Sequence, residues 1–346
     1  MTDTVESLIL DLVEWVGRKE RTYQETRDAW RTSCPRLPVW EDATDRGLVE
    51  RFSAEGRSLV RATSAGLALL KEKRPHAYEE LRQRAPAEPG REGARIPRPG
   101  CALRAALRIT MNIRRSTERG HADHGWLDTY HTFSFAGYHD PDFMGFSELR
   151  VLNQDRVAPG EGFPRHGHRD MEIVSYVLEG ALEHKDTMGN GSVMRPGEVQ
   201  LMSAGTGVLH SEFNASRSEG LHFLQMWIMP ARQGTPPRYE QQAYPVEERR
   251  GRLRLVVAPD GAEGALTIGQ DARLYVGLLD GSEQVRHALA PRRCAWLHVA
   301  RGELSANGER LGPGDGAALL DETLLELQRG SGAEFVLWDL PSDVPA

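Results

Sequence analysis

The chain has 346 residues, 39% hydrophobic and 27% charged, with 43 Lys and Arg against 50 Asp and Glu. This is globular composition with chain enough for two or three domains, and a net charge of −7 argues against broad coating of nucleic acid or of an anionic membrane. The acidic start MTDTVESLIL, the lack of an apolar run near the ~18 residues of a membrane helix, and three scattered cysteines lead to the expectation of a soluble, cytoplasmic protein with no disulfide framework.

Residues 1–84 have helical spacing. Val5, Leu8, Ile9, Leu12, Val13 and Val16 recur at intervals of three and four, one amphipathic stripe. A second helix is expected over Tyr23–Trp30 and a third from about Val39 to Phe52, followed by a hairpin around Glu55–Gly56. A last helix over residues 65–84 is broken or kinked at Pro75. Together these elements resemble a small α+β winged-helix domain. Its charge is balanced, 15 Lys and Arg against 15 Asp and Glu, and the third helix carries Glu41, Asp42 and Asp45 beside only Arg46. Acidic side chains there repel phosphates, so protein contact or dimerisation is favoured over nucleic-acid binding, for which Arg57 and Arg61 on the hairpin remain.

Residues 85–110, rich in Pro, Gly, Ala and Arg without periodicity, read as a flexible linker. From Met111 onward short apolar runs alternate with Gly and Pro signals, so this part is expected to be mainly β. It contains a faint repeat. A strand, Gly180 or Gly302, a second strand, and then Pro196-Gly197-Glu198 or Pro313-Gly314-Asp315 follow the same plan, implying two similar β modules.

The segment GFPRHGHRDMEIVSYVLEG, followed by PGEVQLMSAGTGVLHSEFN, carries the chemistry. His166 and His168 stand two apart, as do His210 and Glu212, and on a strand such pairs share a face. Three imidazoles and a carboxylate suit Fe2+, Mn2+, Ni2+, Co2+ or Zn2+, and an octahedral ion would keep positions open for substrate and O2.

These motifs, in order and at these spacings, resemble the cupin superfamily and, more narrowly, the pirin family near its bacterial quercetinases. RRSTERGHADHGWLDTYHTFSFAGYHDPDFMGFSELRVLNQD, GFPRHGHRDMEIVSYVLEGALEHKD, MSAGTGVLHSE and LQMWIMP carry the likeness. It implies a bicupin, two β-sandwich barrels, with a metal-binding N-terminal cupin over 111–230 and a metal-free C-terminal cupin over 231–346. The implied ligands are His166, His168, His210 and Glu212, with Glu172 facing the site without being a ligand. The implied cofactor is one divalent transition metal, Fe2+ first, with Mn2+, Ni2+, Co2+, Zn2+ or Cu2+ as alternatives. The implied reaction is dioxygenase cleavage of a flavonol such as quercetin, a small aromatic polyphenol, by O2, with Glu212 as the candidate base. The alternative is a metal- or redox-sensing regulator of transcription.

In the second module the position equivalent to His210 falls at Leu327, and His287 and His298 stand singly. His121, His124, His131, His184 and His222 are read as ordinary strand or turn residues, with His131, Phe133 and Phe135 as candidates to line the pocket.

Overall fold

The computed structural model describes residues 2–22, 26, 39, 43, 44, 46–54, 57–83, 111–140 and 142–342. They fall into two compact units, Met1–Ala106 and Leu107–Ala346.

In the first unit, α1 (Thr2–Arg18) buries Ile9, Leu12, Val13 and Val16, four members of the expected stripe. They pack with Val60 and Leu70 in one apolar cluster, each such side chain contributing about 1.5–3 kcal/mol. Strands β1 (Arg21–Thr22), β2 (Val49–Ala54) and β3 (Arg57–Ala62) form a sheet in the order β1-β3-β2. The helix expected to reach Phe52 ends earlier. Gly47 at φ +64° donates its N–H to Thr44 O at 2.9 Å, and Leu48 donates to Ala43 O at 2.8 Å. This left-handed cap closes the helix and turns Val49 into strand. Two helices end the unit, α2 (Ser64–Lys73), capped by the Thr63 hydroxyl, and α3 (Pro75–Gln83). Pro75 opens α3, where its missing N–H would have had no helical partner. Of the expected Tyr23–Trp30 helix only Thr26 is described, and the expected linker 85–110 lies outside the described residues. No helix among the described residues is long and apolar enough to cross a membrane.

The second unit is almost entirely strand. In chain order it comprises β4 (Met111–Arg114), β5 (Gly120–Asp123), β6 (Leu127–His131), β7 (Leu149–Val157), β8 (Gly162–His168), β9 (Glu172–Glu179), β10 (Leu182–Asp186), β11 (Gly191–Met194), β12 (Glu198–Ser203), β13 (Val208–Asn214), β14 (Leu221–Ile228) and β15 (Arg238–Ala243). There follow β16 (Leu253–Ala258), β17 (Leu266–Thr267), β18 (Arg273–Leu279), β19 (Val285–Ala288), β20 (Arg293–Ala306), β21 (Glu309–Leu311), β22 (Gly316–Leu319) and β23 (Leu324–Pro341).

A seven-stranded sheet, β15-β12-β9-β14-β7-β6-β5, packs on a four-stranded one, β11-β10-β13-β8. Leu127, Val157, Val177 and Phe223 of the first meet Leu182 and Met194 of the second inside this barrel. A nine-stranded sheet, β17-β16-β18-β23-β20-β22-β4 with β19 and β21 alongside, wraps the second apolar interior. Strand alternation gives the seven-stranded sheet two buried faces. Asn153, Asp155, Ser175 and Gln225 point into the first barrel, whereas Leu152, Gln154, Tyr176 and Leu224 point toward the second module. Trp296 and Trp338 of the second module fill that inter-module core.

Two strands are exchanged across the boundary expected at residue 230. Strand β4, assigned by chain order to the first cupin, pairs with β22, and β15, assigned to the second, pairs with β12. Met111 and Ile113 supply the reason for the first exchange, since they pack on the second apolar interior. The repeat is matched in three dimensions. Gly180 and Gly302 adopt φ +77° and +61°, Gly197 and Gly314 +85° and +81°. A Cβ at Gly180 or Gly302 would strike the backbone of Gly220 or Gly332.

Candidate metal centre

Strands β8 and β13 are antiparallel neighbours, and their register sets His210 opposite His166 and Val208 opposite His168. Three imidazoles therefore converge. Ring centroids lie 4.8 Å apart for His166–His168, 4.5 Å for His166–His210 and 4.7 Å for His168–His210. One nitrogen from each forms a group within 4.8 Å. His166 Nδ1 meets the Pro164 carbonyl at 2.7 Å, and a carbonyl only accepts, so Nδ1 carries the proton and Nε2 keeps a lone pair. His168 Nδ1 and His210 Nε2 are buried without any protein partner. Burial, reinforced by the neighbouring imidazoles, pushes His168 down to about 3 and His210 lower still, so both are neutral. Neutral rings with unpartnered buried nitrogens are what a cation requires.

Glu212 lies one step further along β13, past a bulge between His210 and Glu212. It is fully buried, and its carboxylate accepts from Gln225 Nε2 at 2.8 Å, Ser175 Oγ at 3.4 Å and Gln200 Nε2 at 3.5 Å. Burial, then the Asp155 carboxylate, raises its pKa to about 7. Of the four expected ligands, the structure gathers the three histidines into one group and sets Glu212 in a second with His210 and His184. The two groups share His210.

The expectation that His184 is an ordinary strand residue fails, because it joins His210 and Glu212 in one group. On β10 it faces Glu212 in register, its Nδ1 lies 3.4 Å from His210 Nδ1, and its Nε2 lies 3.2 Å from Asp186 Oδ2. Its ring stacks on Tyr239 at 4.7 Å, a residue supplied by the exchanged strand β15. Tyr239 in turn donates to Gln200 Oε1 at 3.2 Å, which links it to Glu212 through one amide.

Glu172 does not face the site. It takes the opposite face of β9 from Ser175 and accepts from Ser203 Oγ at 2.6 Å. Phe133 is likewise redirected, packing 4.8 Å from Trp296 in the inter-module core. Phe135 lies edge-on to Trp227, which lies edge-on to His168, so this aromatic does reach the histidine cluster. His131 lies on the interior face, 5.3 Å from Phe135 and bonded to Asn153 Oδ1 at 3.0 Å. His121 pairs with Asp128 on the outer face, and His222 contacts Gln154 there. In the second module Leu327 sits in the apolar interior and His287 pairs with Asp339.

Residues 112–228 match the Pirin family model, and 255–340 match the model of the quercetinase C-terminal cupin domain. A quercetin 2,3-dioxygenase of Escherichia coli K12 is 48% identical over 229 residues, 66% of this chain and 98% of that protein. The chain belongs to the pirin family. A pirin-like protein of Caulobacter vibrioides is 41% identical over 222 residues, 64% of this chain and 95% of its own. Among solved structures, the bacterial pirin YhhW of Escherichia coli in complex with nickel(II) aligns with a TM-score of 0.64 at 47% identity, covering 67% of this chain and 99% of that one. The expected mainly β bicupin thus holds for this pirin, and the likeness lies outside the first unit.

Proposed function

We propose that this pirin is a metal-dependent dioxygenase that cleaves flavonols such as quercetin with O2. The observation that carries the reading is the convergence of three imidazoles, 4.5–4.8 Å between ring centroids and two of them held neutral by burial, beside one buried carboxylate. His166, His168, His210 and Glu212 would hold the ion. When bound, a divalent ion, Fe2+ first and Mn2+, Ni2+, Co2+, Zn2+ or Cu2+ as alternatives, supplies Lewis-acid polarisation and open positions for substrate and O2. Nickel in the YhhW structure and the dioxygenase name of the Escherichia coli relative support the same reading.

The chain's own residues supply the rest. Glu212, a buried carboxylate raised to about 7 in the metal-free chain and lowered again by a cation beside it, is the group placed to accept the 3-hydroxyl proton of a flavonol. Gln225, Ser175 and Gln200 hold that carboxylate in place by donating to it. Trp227 and Phe135 give the approach an aromatic wall suited to a planar polyphenol. Residues 1–84 are proposed as a winged-helix-like module for protein contact, joined by a flexible 85–110 tether.

The test is elemental analysis of the purified full chain paired with aerobic quercetin. Loss of the flavonol's visible absorbance with release of carbon monoxide supports the proposal. A metal-loaded protein that leaves quercetin intact overturns the enzyme reading and favours the sensor.

A further inference from the structure

The Pro-Gly-acid turns repeat, and each cradles an arginine. At Gly197 an added Cβ would come within 2.7 Å of Arg249 Nη2, and at Gly314 it would collide with Arg119 Nη2. Each guanidinium also lies near a tyrosine ring, Arg249 at 6.0 Å from Tyr176 and Arg119 at 5.1 Å from Tyr130. The two sites then differ in one respect. Arg249 Nη1 has a carboxylate, Glu334 Oε1, at 3.0 Å. Arg119 has no carboxylate within ion-pair distance among the described residues. Its side-chain acceptor is the neutral Gln154 Oε1, 3.3 Å from both terminal nitrogens, and its Nε is buried without a partner.

Arg119 opens onto a cavity of about 570 Å3 between the modules, which Tyr130, Gln154, Arg156, Arg301 and Gly314 also line. Its volume falls within the roughly 300–1,000 Å3 of small-molecule sites. Two acids reach the lining, but both are engaged: Glu179 contacts Arg301 at 2.7 Å and Arg156 at 3.9 Å, and Asp128 holds His121 at 2.7 Å. Three arginines thus face two acids across the lining, and Arg119 is the one of the three without a carboxylate at ion-pair distance. Tyr130 and Gln154 stand on the face of the seven-stranded sheet opposite Thr129, His131, Asn153 and Asp155, so the cavity is separate from the metal centre.

The cavity is built and held. Asp315 bonds the Ser116 N–H at 2.7 Å and Arg115 Nη1 at 2.8 Å, fixing the 3-10 turn Ser116–Glu118 that presents Arg119. Gln154 Nε2 donates to the His222 ring at 2.9 Å and Ala300 O at 3.2 Å, which commits its Oε1 to Arg119. A half-buried guanidinium satisfied only by a neutral amide is costly, and a planar carboxylate fits its fork.

We infer that this inter-module cavity binds a small organic monocarboxylate, whose carboxylate takes at Arg119 the place that Glu334 takes at Arg249. The inference does not depend on the dioxygenase reading. It is tested by calorimetric titration of the metal-loaded full chain with sodium benzoate, with inorganic phosphate as the second probe. One benzoate per chain is expected, with affinity lowered at least about tenfold in Arg119→Gln and less in Arg119→Lys. Gln154→Glu, which supplies a carboxylate in cis, is expected to abolish binding and raise the melting temperature, which also shows that the variant folds. His210→Ala is expected to bind benzoate as the parent does. No benzoate binding, binding that survives Arg119→Gln, or binding lost in His210→Ala but kept in Arg119→Gln overturns the site. Tighter binding of phosphate than of benzoate overturns the ligand class.

Discussion

Gln225 Nε2 donates to Glu212 Oε2 at 2.8 Å, and the bond crosses the first barrel from the seven-stranded sheet to the four-stranded one. Glu212 is thus fixed from the wall opposite its own strand, the side from which no neighbour in sequence could reach it.

Replacing Gln225 by Met removes the nearest donor to a buried carboxylate. The Glu212 pKa should rise, since hydrogen bonds to the charged form hold it down. The acid limb of the pH–rate profile then moves to higher pH, and stability falls by about 1–3 kcal/mol. A pH–rate series and urea unfolding of the same variant check both. An unmoved acid limb would remove Glu212 from the role of base.

Metal content tests the histidine cluster directly. His210 belongs to both groups of candidate ligands, so His210→Ala should cost more bound metal than Glu212→Gln does. Elemental analysis after dialysis against a weak chelator measures this. Equal retention in the two variants would place the ion elsewhere.

The metal-stripped chain should lose stability in mild acid. His222 is held near 3 by burial and the surrounding arginines, against an ordinary 6.5. Below pH 6.5 the unfolded chain takes up a proton that the folded chain refuses. Stability is therefore whole above 6.5 and is drained toward 3, by up to about 1.4 kcal/mol per pH unit for this group. Asp155 and Glu212, both raised to about 7, act in the opposite sense and weaken the fold as pH climbs toward 7. His222→Gln should flatten the slope of unfolding free energy between about pH 4 and 6. An unchanged slope would refute the assignment.

The joint between the modules is the fourth target. Arg249, nearly buried, holds Glu334 Oε1 at 3.0 Å, the Tyr176 hydroxyl at 2.5 Å and the Tyr244 carbonyl at 2.8 Å. Arg249→Met removes the nearer cation from the half-buried Glu334 carboxylate, which keeps the Tyr176 hydroxyl at 2.5 Å and Arg301 at 3.6 Å, and should cost about 1–3 kcal/mol. Glu334→Met in the same background should recover part of the loss, because the carboxylate left short of a partner goes with it. Denaturant midpoints of the single and double variants decide it.

What the sequence disclosed was local. His166 with His168, and His210 with Glu212, are visible because a spacing of two on a strand fixes a shared face. His184 escaped notice although His184-Lys185-Asp186 carries that same spacing, because its closeness to Glu212 comes from the pairing of β10 with β13. Gln225, Ser175 and Tyr239 left no signal, since each reaches the site from another strand or sheet. Glu172 misled for the converse reason. Its motif position pointed to the site, but one-residue alternation from Ser175 turns it away. In the first unit the third helix is shorter than its apolar spacing predicts, because Gly47 at positive φ ends it.

Each barrel borrows an edge strand from across the expected border: Met111–Arg114 completes the C-terminal one and Arg238–Ala243 the N-terminal one. Cutting the polypeptide near residue 230 would therefore deprive both halves at once. The two cupins are interlocked like clasped hands, and neither fragment should survive expression without the other.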